Sequence, residues 1–295
     1  ELILVAGRGR DEVGATAAVL VQLDGGTGRQ MGDYDEYDSV GSLSDKARKG
    51  LFAKLLDDQI PFGARIIECG CGTGQLSAFL SVASRTVVGA DLCMNSLRLA
   101  QGFKRRNRLD NAHFMQMNLF RPCFKPATFD LVISNGVLHH TSDPFLAFKR
   151  IGALVRPGGY ILVGLYHKYG RLATDLRRVL FNMSGDRGKF LDRHAVDGRV
   201  SPAKRLAWFM DQYKNPHESK HTVGEVLGWL AKTGFTYVHS LPKTTPFSRI
   251  GPAEQLFVPD RIGSPFERFL VNAGMVIAGH REGGFFIVIA QKPAA

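Results

Sequence analysis

A chain of 295 residues, 44% hydrophobic and 22% charged, has the composition of an ordinary globular protein with room for a large core and insertions. Its longest apolar runs, such as Phe285–Ala290, fall far short of the about 20 residues that cross a bilayer, and the apolar start Glu1–Ala6 lacks the basic region of a secretory leader. A formal net charge of +11 keeps an anionic partner, including nucleic acid, among the candidates. The four cysteines are Cys69, Cys71, Cys93 and Cys123. Cys69 and Cys71 lie one residue apart in a glycine turn, a poor geometry for a bridge and not a zinc spacing, so reduced thiols in a cytoplasmic protein are expected.

Residues 1–40 show no sustained period and read as an N-terminal extension. Ser42–Asp45 then reads as a capping box, and Leu43, Ala47, Leu51 and Leu55, with Phe52 and Leu56, mark one helical face up to Pro61. Ile66 and Ile67 form a short buried strand ending in Glu68. Glycines follow at alternate positions, Gly70, Gly72 and Gly74, as a tight turn where a ligand can approach backbone before a helix begins. A dinucleotide fingerprint would place a small residue at position 75, where this chain has Gln75. A second strand at Val87 and Val88 ends in Asp91, placed as the carboxylate that receives ribose hydroxyls in a doubly wound sheet.

A third strand is expected over 113–120 and a fourth over 129–140, followed by a helix opening Ser142-Asp143-Pro144 with an N-cap and a first-turn proline. Arg156-Pro157-Gly158-Gly159 reads as a turn into a fifth strand. The pattern is interrupted over 166–220, where Leu172, Leu176, Val179, Leu180 and Met183 mark one helix and Leu206, Ala207 and Met210 another. It resumes with a capped helix from Thr222 and Glu225 to Gly234, a sixth strand over 236–241 and a last over 285–291. A second insertion, 242–284, carries a stripe at Phe266, Phe269, Leu270 and Ala273. Strand-helix alternation over about 100 residues implies parallel strands with right-handed crossovers.

Over 64–165, four pieces resemble the class I S-adenosylmethionine (SAM)-dependent methyltransferases, and within them the small-molecule enzymes of the ubiquinone and menaquinone type. They are the E-x-G-x-G-x-G spacing from Glu68 to Gly74, the segment FDLVISNGVLHH (129–140), the SDP helix start and the RPGG turn. The resemblance implies an α/β fold, a Rossmann-like, doubly wound, mostly parallel seven-stranded sheet with an antiparallel last strand. Residues 41–165 and 221–295 would form the core, and 166–220 a helical cap over the acceptor. It implies SAM as cofactor, with Glu68, Gly70, Cys71, Gly72 and Gly74 at the methionine part. Asp91 would hold the ribose, Leu92 and Leu119 the adenine ring, Asn118 its amino group, and Asn135 would stand beside the methyl donor.

A general base would come from the His139-His140 pair, with His140 the candidate, or from Tyr166 or His167, at the carboxyl edge of the sheet; the resemblance equally implies that the histidine pair is a structural turn with one ring packed beneath the cofactor. His139, Tyr213, His217 and His221 would line the acceptor pocket. His217 and His221 have a metal-pair spacing only on a helix, and Pro216 with the cap at Thr222 argues for a loop, so no metal is expected. The acceptor is expected to be a small molecule. The cluster Lys104-Arg105-Arg106 with Arg108, and the arginines Arg171, Arg177, Arg178 and Arg193, leave an RNA methyltransferase as the alternative, without aromatic-interleaved reader patterns. A non-catalytic or modified-SAM-binding protein is the third class. The stripe from Leu172 to Leu180 fits a homodimer contact as well as a cap.

Overall fold

The computed structural model describes residues 39–184, 218–248, 250–278 and 284–294. Nearly all of the N-terminal extension, the helix expected around Leu206–Met210, and Tyr213 and His217 lie outside these residues. Seven strands form one sheet: β1 (Arg65–Cys69), β2 (Thr86–Asp91), β3 (Ala112–Gln116), β4 (Phe129–Asn135), β5 (Val155–Tyr166), β6 (Thr236–Leu241) and β7 (Phe285–Gln291). Their order is β3-β2-β1-β4-β5-β7-β6. The first five are parallel, and β7 runs antiparallel between β5 and β6. The strands on each side of the β1/β4 junction wind outward in opposite directions, which opens the crevice where doubly wound sheets bind ligands.

Eight α-helices are described: α1 (Val40–Ala47), α2 (Leu51–Gln59), α3 (Gln75–Ser81), α4 (Met94–Asn107), α5 (Pro144–Gly152), α6 (Leu172–Ser184), α7 (Val223–Thr233) and α8 (Pro265–Ala278). No helix among the described residues is long and apolar enough to cross a membrane. Apolar clusters pack both faces of the sheet, one built on Ile66, Ile133 and Ile289 with α1, α2 and α3, the other on Ile67, Val132 and Val288 with α5 and α7. This alternation of neighbours is what a pleated, doubly covered strand requires.

Local signals place several ends as expected. The Asp143 side chain accepts from the Leu146 N–H, with Pro144 opening α5. Thr222 and Glu225 cap each other at the start of α7, and Gly234 closes it at φ +75°. Four expectations are corrected: the strand expected over 129–140 ends at Asn135, because Gly136 at φ +79° and a 3-10 turn over Leu138–His140 take the chain out of the sheet, and three others follow. The helix before β1 is two helices, broken over 48–50 and capped by Ser39 with Ser42 instead of by Ser42 with Asp45. β3 ends at Gln116, four residues early, because the Asn118 side-chain carbonyl accepts the Phe120 N–H and turns the chain. RPGG lies inside β5, where Gly158 takes φ +74° and a side chain on Gly159 would meet the Asp130 carbonyl at 2.9 Å, so the irregularity is absorbed as a register shift against Phe129 and Leu131.

α2 is fastened to the sheet by Arg85, which is 2% exposed. Its guanidinium donates to the Asp57 carboxylate at 2.7 Å and to the Asp57 and Ile60 carbonyls at 2.5 and 2.7 Å. A buried guanidinium is tolerated because its donors are so engaged.

Candidate active site

At the carboxyl ends of β1 and β2 the chain's polar groups satisfy one another. Gly70, Gly72 and Gly74 all take positive φ, 84°, 52° and 76°. A Cβ on Gly70 would collide with Val137 and one on Gly74 with the Phe114 ring, so packing alone requires two of the three glycines. The Gly72 N–H donates to one oxygen of Asp91 and the Cys93 N–H to the other, both at 2.7 Å. Asp91 is thus held rigidly at the strand end, and each oxygen keeps a lone pair for a further donor. Glu68 faces α3 and accepts from the Ser77 hydroxyl at 2.5 Å. Burial pushes its carboxyl up to about 8, against the Ser77 hydrogen bond, which pulls the other way. Burial likewise raises the Cys71 thiol, which is therefore no nucleophile at neutral pH.

Leu92, 65% exposed, projects beside Asp91, whereas Leu119 is 8% exposed and packs in the core cluster under β4. Asn118 is exposed, with one lone pair of its carbonyl given to Phe120. Asn135 is buried at the end of β4. Its side chain and the Phe285 ring occupy the space a Cβ on Gly164 would need, so a glycine on β5 makes room for both.

The carboxyl ends of β4 and β5 carry a stack of rings. A one-turn 3-10 helix, Leu138–His140, follows β4. The His139 ring lies 4.0 Å from the Tyr166 ring and 4.2 Å from that of His140, with Phe285 edge-on at 6.4 Å. The Arg171 guanidinium stands 3.9 Å from the Tyr166 centroid. His139 is 1% exposed, and neither ring nitrogen has a hydrogen-bond partner among the described residues. Burial first, then the positive groups His140, Arg171 and His221, hold its pKa well below the ordinary value, so the ring is neutral at pH 7.

His167 is placed differently from its expected catalytic role. Its Nδ1 accepts from the Gly170 N–H at 3.1 Å and its Nε2 pairs with Asn272 at 3.0 Å, both committed to holding the β5–α6 turn. A ring with both nitrogens so occupied has none left for an acceptor's proton. His221 lies in a strap, 218–221, that pairs with the end of β5: the His221 N–H donates to the Tyr166 carbonyl at 2.9 Å and the Lys168 N–H to the His221 carbonyl at 2.8 Å. Its ring meets Ser219 and Glu225 at 2.9 and 3.1 Å and packs edge-on to Trp229. The strap also reaches the histidine turn, because the Ser219 N–H and hydroxyl both donate to the His139 carbonyl, at 2.8 and 3.2 Å.

Sequence reading did not single out Phe285, and although it offers Arg171 among the basic residues and Glu218 beside His217 at the acceptor pocket, it does not pair them. Both charged side chains are 1% exposed, and the Glu218 carboxylate accepts from Arg171 at 3.2 Å and from Arg178 at 2.8 Å. The one available signal was an acidic residue at the end of an insertion whose helix carries several arginines.

Residues 67–163 match the family model described as a methyltransferase domain. An uncharacterized methyltransferase of Mycobacterium bovis is 36% identical over 112 residues, covering 37% of this chain and 54% of that protein. A ubiquinone biosynthesis O-methyltransferase of Bordetella bronchiseptica is 32% identical over 151 residues, covering 49% and 59%. The chain spans about half the length of the curated relatives it matches. PKMT2 of Rickettsia typhi, solved in complex with AdoHcy, has the same fold, with a TM-score of 0.56 and 14% identity over 77% of this chain and 48% of that one.

Proposed function

Because this chain belongs to the class I SAM-dependent methyltransferases, we propose that it transfers a methyl group to a small-molecule acceptor, through an O, N or C nucleophile, by in-line displacement. One observation carries the reading. The carboxyl edge of the parallel strands brings the glycine turn and Asp91 to one side of the crevice and the His139–His140–Tyr166 stack to the other.

The residues fit SAM better than a dinucleotide. The discriminating position is Gln75, where a pyrophosphate-binding helix wants a small residue; Asp91 at the end of β2 would take the ribose hydroxyls of either cofactor. Gly70, Cys71, Gly72 and Gly74 would supply backbone to the methionine part, with Glu68 bracing the turn through Ser77. Asp91 would accept from the ribose, the exposed Leu92 would cover the adenine ring over Leu119, and the Asn118 carbonyl would accept from its amino group. Asn135 would stand at the methyl donor. SAM supplies an activated methyl on a sulfonium, so the leaving group needs no acid. The protein then has to orient the acceptor, exclude water and, for a protonated nucleophile, take a proton. His140 and Tyr166 are the candidates for that last task, with His139 and His221 as the wall behind them. α6 and the strap, the described ends of the 166–220 insertion, border this edge, which supports reading that insertion as a cap on the acceptor side.

The test is methyl transfer from labelled SAM to a fractionated metabolite extract, with cofactor affinity measured by calorimetry. Asp91→Ala is expected to weaken SAM by about 1.5–3 kcal/mol, the scale of hydrogen bonds to a charged group. Unchanged affinity would remove Asp91 from the site, and tight NAD binding would overturn the cofactor assignment. A nucleic-acid acceptor is the second reading, favoured by the charges of Lys104, Arg105, Arg106 and Arg108 at the end of α4. It predicts RNA binding that weakens steeply with salt.

A further inference from the structure

We propose that the buried pair Arg171–Glu218 is a positioning device for His139, with Glu218 anchoring the strap that holds the His139 backbone and Arg171 clamping the Tyr166 ring against the imidazole. This rests on the methyl-transfer reading for its purpose, though not for its geometry.

Tyr166 has two planar neighbours at stacking distance, the Arg171 guanidinium at 3.9 Å and the His139 ring at 4.0 Å. Both pack on the phenol ring, which thereby joins the buried ion pair to the imidazole. Glu218 fixes the Arg171 guanidinium through its carboxylate, held also by Arg178, with Lys220 at 3.7 Å. One residue along the same strap, Ser219 makes its two hydrogen bonds to the His139 carbonyl. A single carboxylate therefore secures both the backbone of His139 and the stack behind its ring. Such an arrangement is costly for packing alone, since two fully buried charges are often replaceable by apolar side chains without loss of stability.

The device also has an electrostatic side. The titratable and charged groups around His139 are His140 on its own turn, Tyr166 on β5, Arg171 in the turn before α6, and Glu218 and His221 on the strap, the last paired with Glu225 on α7. Arg171 contributes positive potential through the Tyr166 ring and favours the uncharged imidazole. A neutral His139 carries one donor and one acceptor, both buried and without a partner among the described residues.

The test uses the full chain and nitrogen-labelled histidine NMR. Arg171→Met should raise the midpoint of His139 ring titration by about one pH unit, the scale for removal of a nearby charge, and Arg171→Lys should restore most of that shift. The acidic limb of the methyl-transfer pH profile should move in the same direction. An unchanged His139 midpoint in folded Arg171→Met would overturn the electrostatic part, whatever happens to turnover. Should Arg171→Met not fold, Glu218→Gln is the second variant. It keeps the shape of the side chain, and hydrogen exchange at the Ser219 and His221 amides should accelerate at least about tenfold. Unchanged exchange there would overturn the anchoring role. Both readouts need no substrate, so absence of methyl transfer with the expected shifts would count against the proposed reaction and not against the device.

Discussion

The two sides of the crevice solve the same problem in opposite ways. At the ends of β1 and β2 the polar side chains are matched inside the chain: Asp91 takes two backbone N–H groups and Glu68 takes the Ser77 hydroxyl. At the ends of β4 and β5, a buried imidazole with no partner for either nitrogen among the described residues sits among aromatic rings, beside a buried ion pair. The first side is preorganised, and its backbone needs no ligand to hold its shape. The second carries two ring nitrogens unsatisfied among the described residues, which cost free energy in the fold.

The largest effect is expected where the two sides touch. Gly70, at φ +84°, lies against Val137, the residue leading into the histidine turn. Gly70→Ala adds strain and a collision together and should cost about 3 kcal/mol by urea unfolding. Val137→Ala in the same chain should recover part of that loss. Purely additive values would separate the two sides, and a clear coupling energy would show them linked through this contact.

How much of this was legible follows from chain distance. The glycine turn, Asp91, the α5 and α7 caps and the seven strands are written in residues within a few positions of one another, and propensity and spacing specify them. Ser39 and Ser42 both offer a cap within one short stretch, so the true start of α1 depends on which fits the packing of Leu43 and Ala47. The stack was only half legible. His139, His140 and Tyr166 were visible as residue types at strand ends, but Arg171 meets Glu218 across 47 positions, a pairing no local pattern encodes. His167 shows the converse: strand-end placement fitted catalysis, while Gly170 and Asn272, one of them 105 positions away, claim its nitrogens. The α6 stripe is likewise a pattern without a partner in the local sequence, with Leu176 63% and Met183 81% exposed.

A second prediction sharpens the matched side. Unfolded, Glu68 titrates near 4.5, and in the fold near 8, so the native chain holds a proton across that window that the unfolded chain has lost. Its contribution to stability is complete below the lower value and disappears as pH climbs through the upper one. From pH 6 to 8 the fold should therefore lose roughly 2 kcal/mol by this group. Glu68→Gln, which mimics the protonated form, should flatten that slope in denaturant titrations. An equally steep slope in the variant would mean that Glu68 ionises without cost.

The smallest effect tests the unmatched side. His139→Leu removes two unpartnered nitrogens together with the stacking on Tyr166 and His140, two opposed effects, so thermal stability should change by no more than about 1 kcal/mol in either direction while methyl transfer falls. Loss of stability well beyond that range would show that the imidazole is satisfied after all, and that both sides of the crevice are built alike.

α3 has one more consequence. All seven of its residues are buried, so the short helix has no solvent face and leans on α1 and on the sheet at once. A helix of two turns cannot persist on its own in water. The recognisable stretch from β1 to β5 is therefore no module that can be cut out and moved. Dissection would have to keep α1, α2 and the returning strands β6 and β7, because what looks like an appendage ahead of the motif is the wall against which the motif's first helix is made.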